Sequence, residues 1–352
     1  MNPSLFLKQF PVDHVWLFVT ERCQLQCSHC FFKFKADRAA MPGRVIRAVF
    51  DFLPGGARHQ FILSGGEPLL AWPCVRRIVS SVRREYAASY LSLQSNGILL
   101  DGVKTSFLRE NGVNVELGID GDRKSVLKNR KGMSADSYGR MCRGLKALKQ
   151  SGVPVSTTMT VRPYDAGRLF DNLVHLDQLG AAAIEIHPAF GEAWSAGAAA
   201  LFLKEYRRAG VYALRERKAG FISREYSAPS RGIWDLVVLP DGRVLPNWTL
   251  LSFPEYVREK FYVMGFSGGK GVVSPAAAGY FNILKKFLIS RRGVVSYRQL
   301  SNFNASLAVR HCRGRRWAAR LGPYVRLCEQ IEAHDQEFLR RQACVKSVMN
   351  AR

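Results

Sequence analysis

Six short apolar runs, separated by segments of helical pattern, constrain what this chain can fold into. The runs lie at residues 14–19, 60–63, 90–93, 114–118, 153–161 and 183–187. Several are rich in Val, Ile, Leu and Phe, the composition of strands buried on both faces of a parallel sheet. Between them, residues 42–52, 74–86, 103–111, 136–150 and 165–179 read as helices. Alternating strands and helices predict an α/β fold on a parallel sheet. The alternation stops near residue 190. Residues 193–217 read as one or two amphipathic helices. Residues 234–248 read as a hairpin, with Pro240-Asp241-Gly242 as its turn. Residues 266–279, rich in Gly, Ser and Ala, are expected to form a loop, and the remainder reads as helical and basic. There is no internal repeat. The chain is expected to divide into a core over 1–215 and an extension over 216–352.

Cys23, Cys27 and Cys30 follow the first run directly, in the spacing C-x3-C-x2-C. Three thiolates leave one position of a four-position metal centre open, and an open position distinguishes a reactive centre from a structural one. Thiolates are the ligands of iron–sulfur clusters. Zinc, with His29 or a distant Cys as fourth ligand, is the alternative. Zinc sites usually pair two short ligand doublets, and no second C-x2-C occurs.

The other candidate residues fall at strand ends, where parallel barrels carry their chemistry. Ser64-Gly65-Gly66-Glu67-Pro68 ends the second run. Glycines allow close backbone approach to a ligand, and a carboxylate pairs with an ammonium group. Gln94-Ser95-Asn96-Gly97 ends the third run, with Ser95 and Asn96 as candidate ligand contacts. Gly118-Ile119-Asp120-Gly121 ends the fourth, and Arg130 follows; a guanidinium suits a carboxylate. His187 ends the sixth run, and Glu185 shares its face in a regular strand.

The cysteine loop resembles that of radical S-adenosylmethionine (radical SAM) enzymes, and Gly65-Gly66-Glu67 resembles the GGE motif of that family. The third and fourth strand ends are similar to those of its peptide- and protein-modifying branch, which includes the anaerobic sulfatase maturases. The resemblance spans about residues 13–190 and implies a partial (β/α)6 TIM-like barrel with a C-terminal α+β extension. It implies one [4Fe–4S] cluster on Cys23, Cys27 and Cys30, whose open iron chelates SAM. Reductive cleavage of SAM then gives a 5′-deoxyadenosyl radical that takes hydrogen from a substrate. It further implies that Phe31 or Phe32 lies along the adenine. Ser64, Gly65, Gly66, Glu67, Pro68, Ser95, Asn96, Asp120 and Arg130 would line the SAM pocket. Glu185 and His187 would act near the substrate. A reductant such as flavodoxin or ferredoxin is implied as well.

Residues 239–247 resemble the opening of the SPASM extension of that branch, but Asn247 stands where those relatives carry a cluster-ligating Cys. Cys312, Cys328 and Cys344 have no C-x2-C among them and are expected to be free buried thiols, so no auxiliary cluster is expected.

The formal net charge is +24, and no Asp or Glu occurs from Lys260 to Cys328. Such a block attracts acidic partners. An acidic peptide or protein is the favoured substrate, with a nucleic acid or small metabolite as the alternative; any single Arg of the block reads as a solvated surface charge. A degenerate, non-enzymatic binding module is disfavoured by the intact triad and the Gly-Gly-Glu-Pro turn. Residues 1–11 lack a basic stretch followed by a long apolar one, so a secretory signal is not expected, and with no run of 18 uncharged apolar residues neither is a transmembrane helix. Clustered cysteines and an oxygen-sensitive centre point to a reducing cytoplasm.

Overall fold

The computed structural model describes residue 7 and residues 12–216, 234–267, 270–291, 295–313 and 316–350, the last stretch as backbone alone beyond residue 338. The chain begins with β1 (Val12–Thr20), β2 (Gln26–Cys27), α1 (Gly43–Phe52), β3 (Gln60–Gly65), α2 (Trp72–Glu85) and β4 (Tyr90–Ser95). It continues through α3 (Gly102–Glu110), β5 (Asn114–Gly118), α4 (Arg123–Asn129), β6 (Arg130–Lys131), α5 (Ala135–Gln150) and β7 (Val155–Val161). Then come α6 (Leu169–Gln178), β8 (Ile184–Pro188) and α7 (Ala196–Arg215). The extension supplies β9 (Trp234–Val238), β10 (Arg243–Leu245), α8 (Glu255–Arg258), β11 (Met264–Ser267) and β12 (Lys270–Val273). It ends in α9 (Pro275–Ser290), α10 (Tyr297–Val309) and α11 (Arg316–Asn350).

Among the described residues, ten strands make one sheet, in the order β12-β11-β10-β9-β1-β3-β4-β5-β7-β8. The run from β1 to β8 is parallel throughout, as the alternation of runs and helices predicts. The sheet is an open arc with β8 and β12 at its ends, a partial barrel that does not close. Val15, Leu17, Phe18 and Val19 of β1 are fully buried, as befits a central strand covered on both faces. Helix α1 turns Val45, Ile46, Val49 and Phe50 inward, and α2 turns Val75, Ile78, Val79 and Val82. Each such side chain contributes about 1.5–3 kcal/mol by leaving water. Several helices begin on side-chain caps: Asp101 accepts from the Lys104 amide at 2.8 Å and Asp122 from the Ser125 amide at 2.8 Å.

The extension joins the same sheet. β9 pairs in parallel with β1, and β10, β11 and β12 follow antiparallel. The turn between β9 and β10 needs Gly242, whose φ is +88° and whose absent Cβ would lie 2.9 Å from the Phe266 carbonyl. Most of the loop expected over 266–279 is instead the paired strands β11 and β12 and the start of α9; residues 268–269 lie outside the described residues. Gly271 has a packing reason: a Cβ there would sit 3.1 Å from the Phe266 ring and 3.2 Å from Phe52. The small residues Ala276, Ala277 and Ala278 are then good helix formers rather than loop formers.

Candidate active site

The C-terminal ends of the parallel strands open into a cavity of about 250 Å³. Cys23, Cys27 and Cys30 all line it, each half-buried. The Leu25 amide approaches Cys23 Sγ at 3.4 Å, and the Cys30 amide donates to the Cys27 carbonyl at 3.1 Å, which folds the loop back on itself. Burial pushes the Cys23 thiol up and the Cys27 thiol to about 11, the latter against the lowering pull of Arg130. Among the described residues, no three His, Cys, Asp or Glu side chains converge on a point that would hold a single metal ion. The three thiols line one cavity, and thiolates are the ligands of iron–sulfur clusters.

The motifs at the next three strand ends each reach back to this loop. Gly66 donates to the Thr20 carbonyl at 2.8 Å and Glu67 to the Arg22 carbonyl at 2.7 Å. A Cβ on Gly65 would lie 2.3 Å from Thr20 O, and one on Gly66 would lie 2.1 Å from Arg22 O. The two glycines thus admit the cysteine loop's own backbone, a closer constraint than approach to a ligand. Glu67 is buried and accepts from Leu69 N at 3.1 Å, Ser95 Oγ at 2.8 Å and Asn96 N at 2.8 Å. Burial raises its pKa, with those three donors pulling the other way. Asn96 Oδ1 accepts from Gln24 of the cysteine loop at 3.1 Å.

Arg130 pairs by its backbone with Cys27 in the small β2–β6 ladder. Its guanidinium is buried and grips Asp120 through two bonds of 2.9 and 2.8 Å. Burial pushes the Asp120 carboxyl up, but Arg130 and His29 outweigh it and hold it below its usual value. His29 lies 3.6 Å from Asp120, and burial lowers its pKa to about 4. Gly118 is required beneath the guanidinium, since a Cβ there would meet both terminal nitrogens of Arg130 at 3.0 Å.

Further along the strand ends, Ser64 donates to Gln94 at 2.9 Å and Gln94 to Glu116 at 2.8 Å. Thr158, Thr160, Glu185 and His187 continue this polar row into β7 and β8, with His187 Nε2 3.3 Å from Glu185. Of the residues singled out from the sequence, Phe31, Ser64, Gly65, Gly66, Glu67, Ser95, Asn96, Arg130, Glu185 and His187 line the cavity with the three cysteines. Asp120 stands behind Arg130, and Pro68 opens a short helical turn beneath the cavity. Phe32 does not line the cavity: it is fully buried, its ring 5.2 Å from Phe18, and Phe31 takes the cavity side.

Residues 17–175 match the family model of the radical SAM superfamily. The chain carries a radical SAM domain. It is 28% identical over 182 residues to the serine-type anaerobic sulfatase-maturating enzyme of Klebsiella pneumoniae, covering 48% of this chain and 46% of that protein. It is 25% identical over 268 residues to the PqqA peptide cyclase of Granulibacter bethesdensis, covering 68% of this chain and 70% of that protein. The fold matches native anSMEcpe solved with bound AdoMet at a TM-score of 0.67 and 17% identity, over 95% of this chain and 100% of that one. The chain spans about half the length of the first curated relatives it matches. The curated relatives it matches are named as enzymes.

The cavity of the radical SAM domain also has a wall the motifs do not announce. Trp16 of β1, and Trp248, Arg298, Ser301, Tyr324 and Cys328 of the extension, line it. Arg298 is buried, 5% exposed, and is not the surface charge that each Arg of the basic block is expected to be. Cys328 is a buried free thiol and Cys312 a half-buried one, while the side chain of residue 344 lies outside the described residues. Asn247 is fully buried; it donates to Asp235 at 2.9 Å and accepts from the Thr249 amide at 3.1 Å, bracing the strand exit. Glu116 alone among the missed residues left a sequence signal, a carboxylate inside an apolar strand. Among the described residues, no helix is long and apolar enough to cross a membrane.

Proposed function

We propose that this protein is a radical SAM enzyme that modifies a peptide or protein substrate in the cytoplasm. One observation carries the reading: the three thiols, the Gly65-Gly66-Glu67 turn, Asn96 and Arg130 share one cavity and are bonded to one loop. Cys23, Cys27 and Cys30 would hold a single [4Fe–4S] cluster, which with SAM and an electron from a flavodoxin or ferredoxin supplies the 5′-deoxyadenosyl radical for hydrogen abstraction. The protein's part is to bind, orient and exclude water. Phe31 offers an aromatic face beside the loop, and the Glu67 and Arg130 ends of the cavity offer opposite charges to the amino and carboxylate groups of SAM. Glu185 and His187 lie where a substrate would enter the strand-end row. Residues 1–215 would carry the chemistry and 216–352 would shape substrate access, with Asn247 in place of an auxiliary ligand. The sulfatase-maturating and peptide-cyclase names of the relatives support a peptidic substrate, and the acid-free stretch from Lys260 to Cys328 supports an acidic one.

The test is anaerobic reconstitution with iron, sulfide, SAM and dithionite, followed by chromatography for 5′-deoxyadenosine and mass spectrometry of co-expressed short acidic peptides. Production of 5′-deoxyadenosine with a mass change on a peptide is expected. No 5′-deoxyadenosine from cluster-loaded protein would sink the enzymatic reading. A salt-sensitive product on RNA or DNA instead of peptide would replace the substrate class.

A further inference from the structure

The extension's side of the cavity carries hydrogen-bond donors with nothing to donate to. Arg298, 5% exposed, has neither Nη1 nor Nη2 in a hydrogen bond. Its ion-pair partner, Asp335, lies 3.6 Å from Nη1, too far for such a bond, and is itself engaged by Tyr206 at 2.7 Å. Ser301 Oγ, one turn along α10, is buried without a partner. So are the indole nitrogens of Trp16 and Trp248, whose rings stand 6.3 Å apart. All four side chains line the one cavity. Buried polar groups in native proteins are almost always paired, and each one left alone costs about 1–3 kcal/mol. Four side chains with such orphans, from three separate stretches of chain, line one cavity, where a bound ligand could complete their bonding.

The chemistry of the set identifies the ligand. Guanidinium and indole N–H groups are donors only, and a serine hydroxyl also donates. Such a set matches an acceptor with several lone pairs and a negative charge. The planar fork of Arg298 favours a carboxylate. Trp248 also touches Phe31 of the cysteine loop, ring centroids 5.2 Å apart, so this space adjoins the candidate SAM site.

We infer that Arg298, Ser301, Trp16 and Trp248 form the subsite that recognises a carboxylate of the substrate and thereby positions it for hydrogen abstraction. This deepens, and rests on, the peptide-modification reading. The carboxylate comes either from an acidic side chain or from a peptide C-terminus.

Calorimetric titration of the cluster-reconstituted chain separates the possibilities. N-acetylglutamate N-methylamide presents a side-chain carboxylate, N-acetylalanine a terminal one, and N-acetylglutamine N-methylamide the uncharged control. Saturable binding of either acid, with the control at least tenfold weaker, is expected. Arg298→Gln is expected to weaken the acid roughly tenfold to a hundredfold, the range of a charge-assisted hydrogen bond. Because Arg298 also faces Asp335, Trp248→Phe serves as a second variant that leaves that pair intact. It is expected to weaken the acid roughly threefold to tenfold. Equal affinity for acid and amide, binding of neither acid, or unchanged affinity in both variants overturns the subsite. Carboxylate binding without 5′-deoxyadenosine formation in the same preparation would overturn the enzymatic reading and leave the subsite standing.

Discussion

The two walls of the cavity differ in how their polar groups are answered. On the barrel wall they answer one another: Ser64 bonds Gln94, Gln94 bonds Glu116, Glu67 takes three donors, and Arg130 holds Asp120. His29 Nδ1 is the exception there. Where the extension meets β1, Trp16, Trp248, Arg298 and Ser301 hold donors without acceptors. A wall whose bonds are complete is rigid before any ligand arrives, and its work is to fix the position of the cysteine loop. A wall with open donors is finished only by what binds. The contrast separates the wall that braces the cysteine loop from the wall proposed here to recognise a substrate.

The sharpest test of the barrel wall removes a thiol. Cys27→Ala is expected to reduce iron and sulfide incorporation and 5′-deoxyadenosine formation to background, while circular dichroism keeps the α/β signature. Retained SAM cleavage would break the ligand assignment. Next in size is Asp120→Asn, which leaves the buried Arg130 guanidinium facing a neutral amide. Loss of one partner of a buried ion pair costs about 3–5 kcal/mol, readable by chemical denaturation. The pH dependence carries a sign. Arg130 and His29 hold Asp120 below its usual pKa, so its contribution is full above about pH 4 and is lost as pH falls through the folded value. The stability gap between wild type and variant should therefore narrow on acidification; a gap that widens would contradict the pairing. Smaller again is Gly118→Ala, where the new methyl meets Arg130 at 3.0 Å. Overpacking of this kind costs about 1–3 kcal/mol, and a loosened Arg130 should weaken SAM binding in equilibrium dialysis. Unchanged SAM affinity would separate the Arg130 position from the cofactor site.

The same contrast decides what the sequence discloses. The barrel wall is written in short words, Ser64-Gly65-Gly66-Glu67 and Cys23 to Cys30, because one strand end and its turn carry neighbouring residues into one place. Gln94 stood in the third strand-end motif and Glu116 was a carboxylate inside an apolar run, yet their pairing was not legible, since it depends on the register of adjacent strands. Arg298 and Trp248 are separated by 50 positions and meet only through the packing of α10 on the strand exit, which no local pattern encodes. In a basic segment Arg298 looks like every other Arg; burial alone distinguishes it. The β11–β12 hairpin was hidden for a related reason: Gly271, which suggests a loop, stands where Phe266 and Phe52 leave little room for a side chain.

The smallest effect is also the one that tests the contrast by sign. Ser64→Ala on the barrel wall removes a hydroxyl that donates to Gln94 at 2.9 Å and leaves that amide oxygen short of a bond. A loss of about 0.5–1.5 kcal/mol is expected. Ser301→Ala on the extension wall removes a buried hydroxyl that has no partner. Removing an unpaired buried hydroxyl carries no lost bond and lifts its desolvation cost, so stability should stay level or rise. Thermal unfolding of the two variants side by side, without peptide, reads the difference. Equal losses at both positions would mean that the open donors are answered in solution and that the extension wall is as complete as the barrel wall. A level or raised midpoint for Ser301→Ala alone would mean that its hydroxyl is kept for something other than the fold.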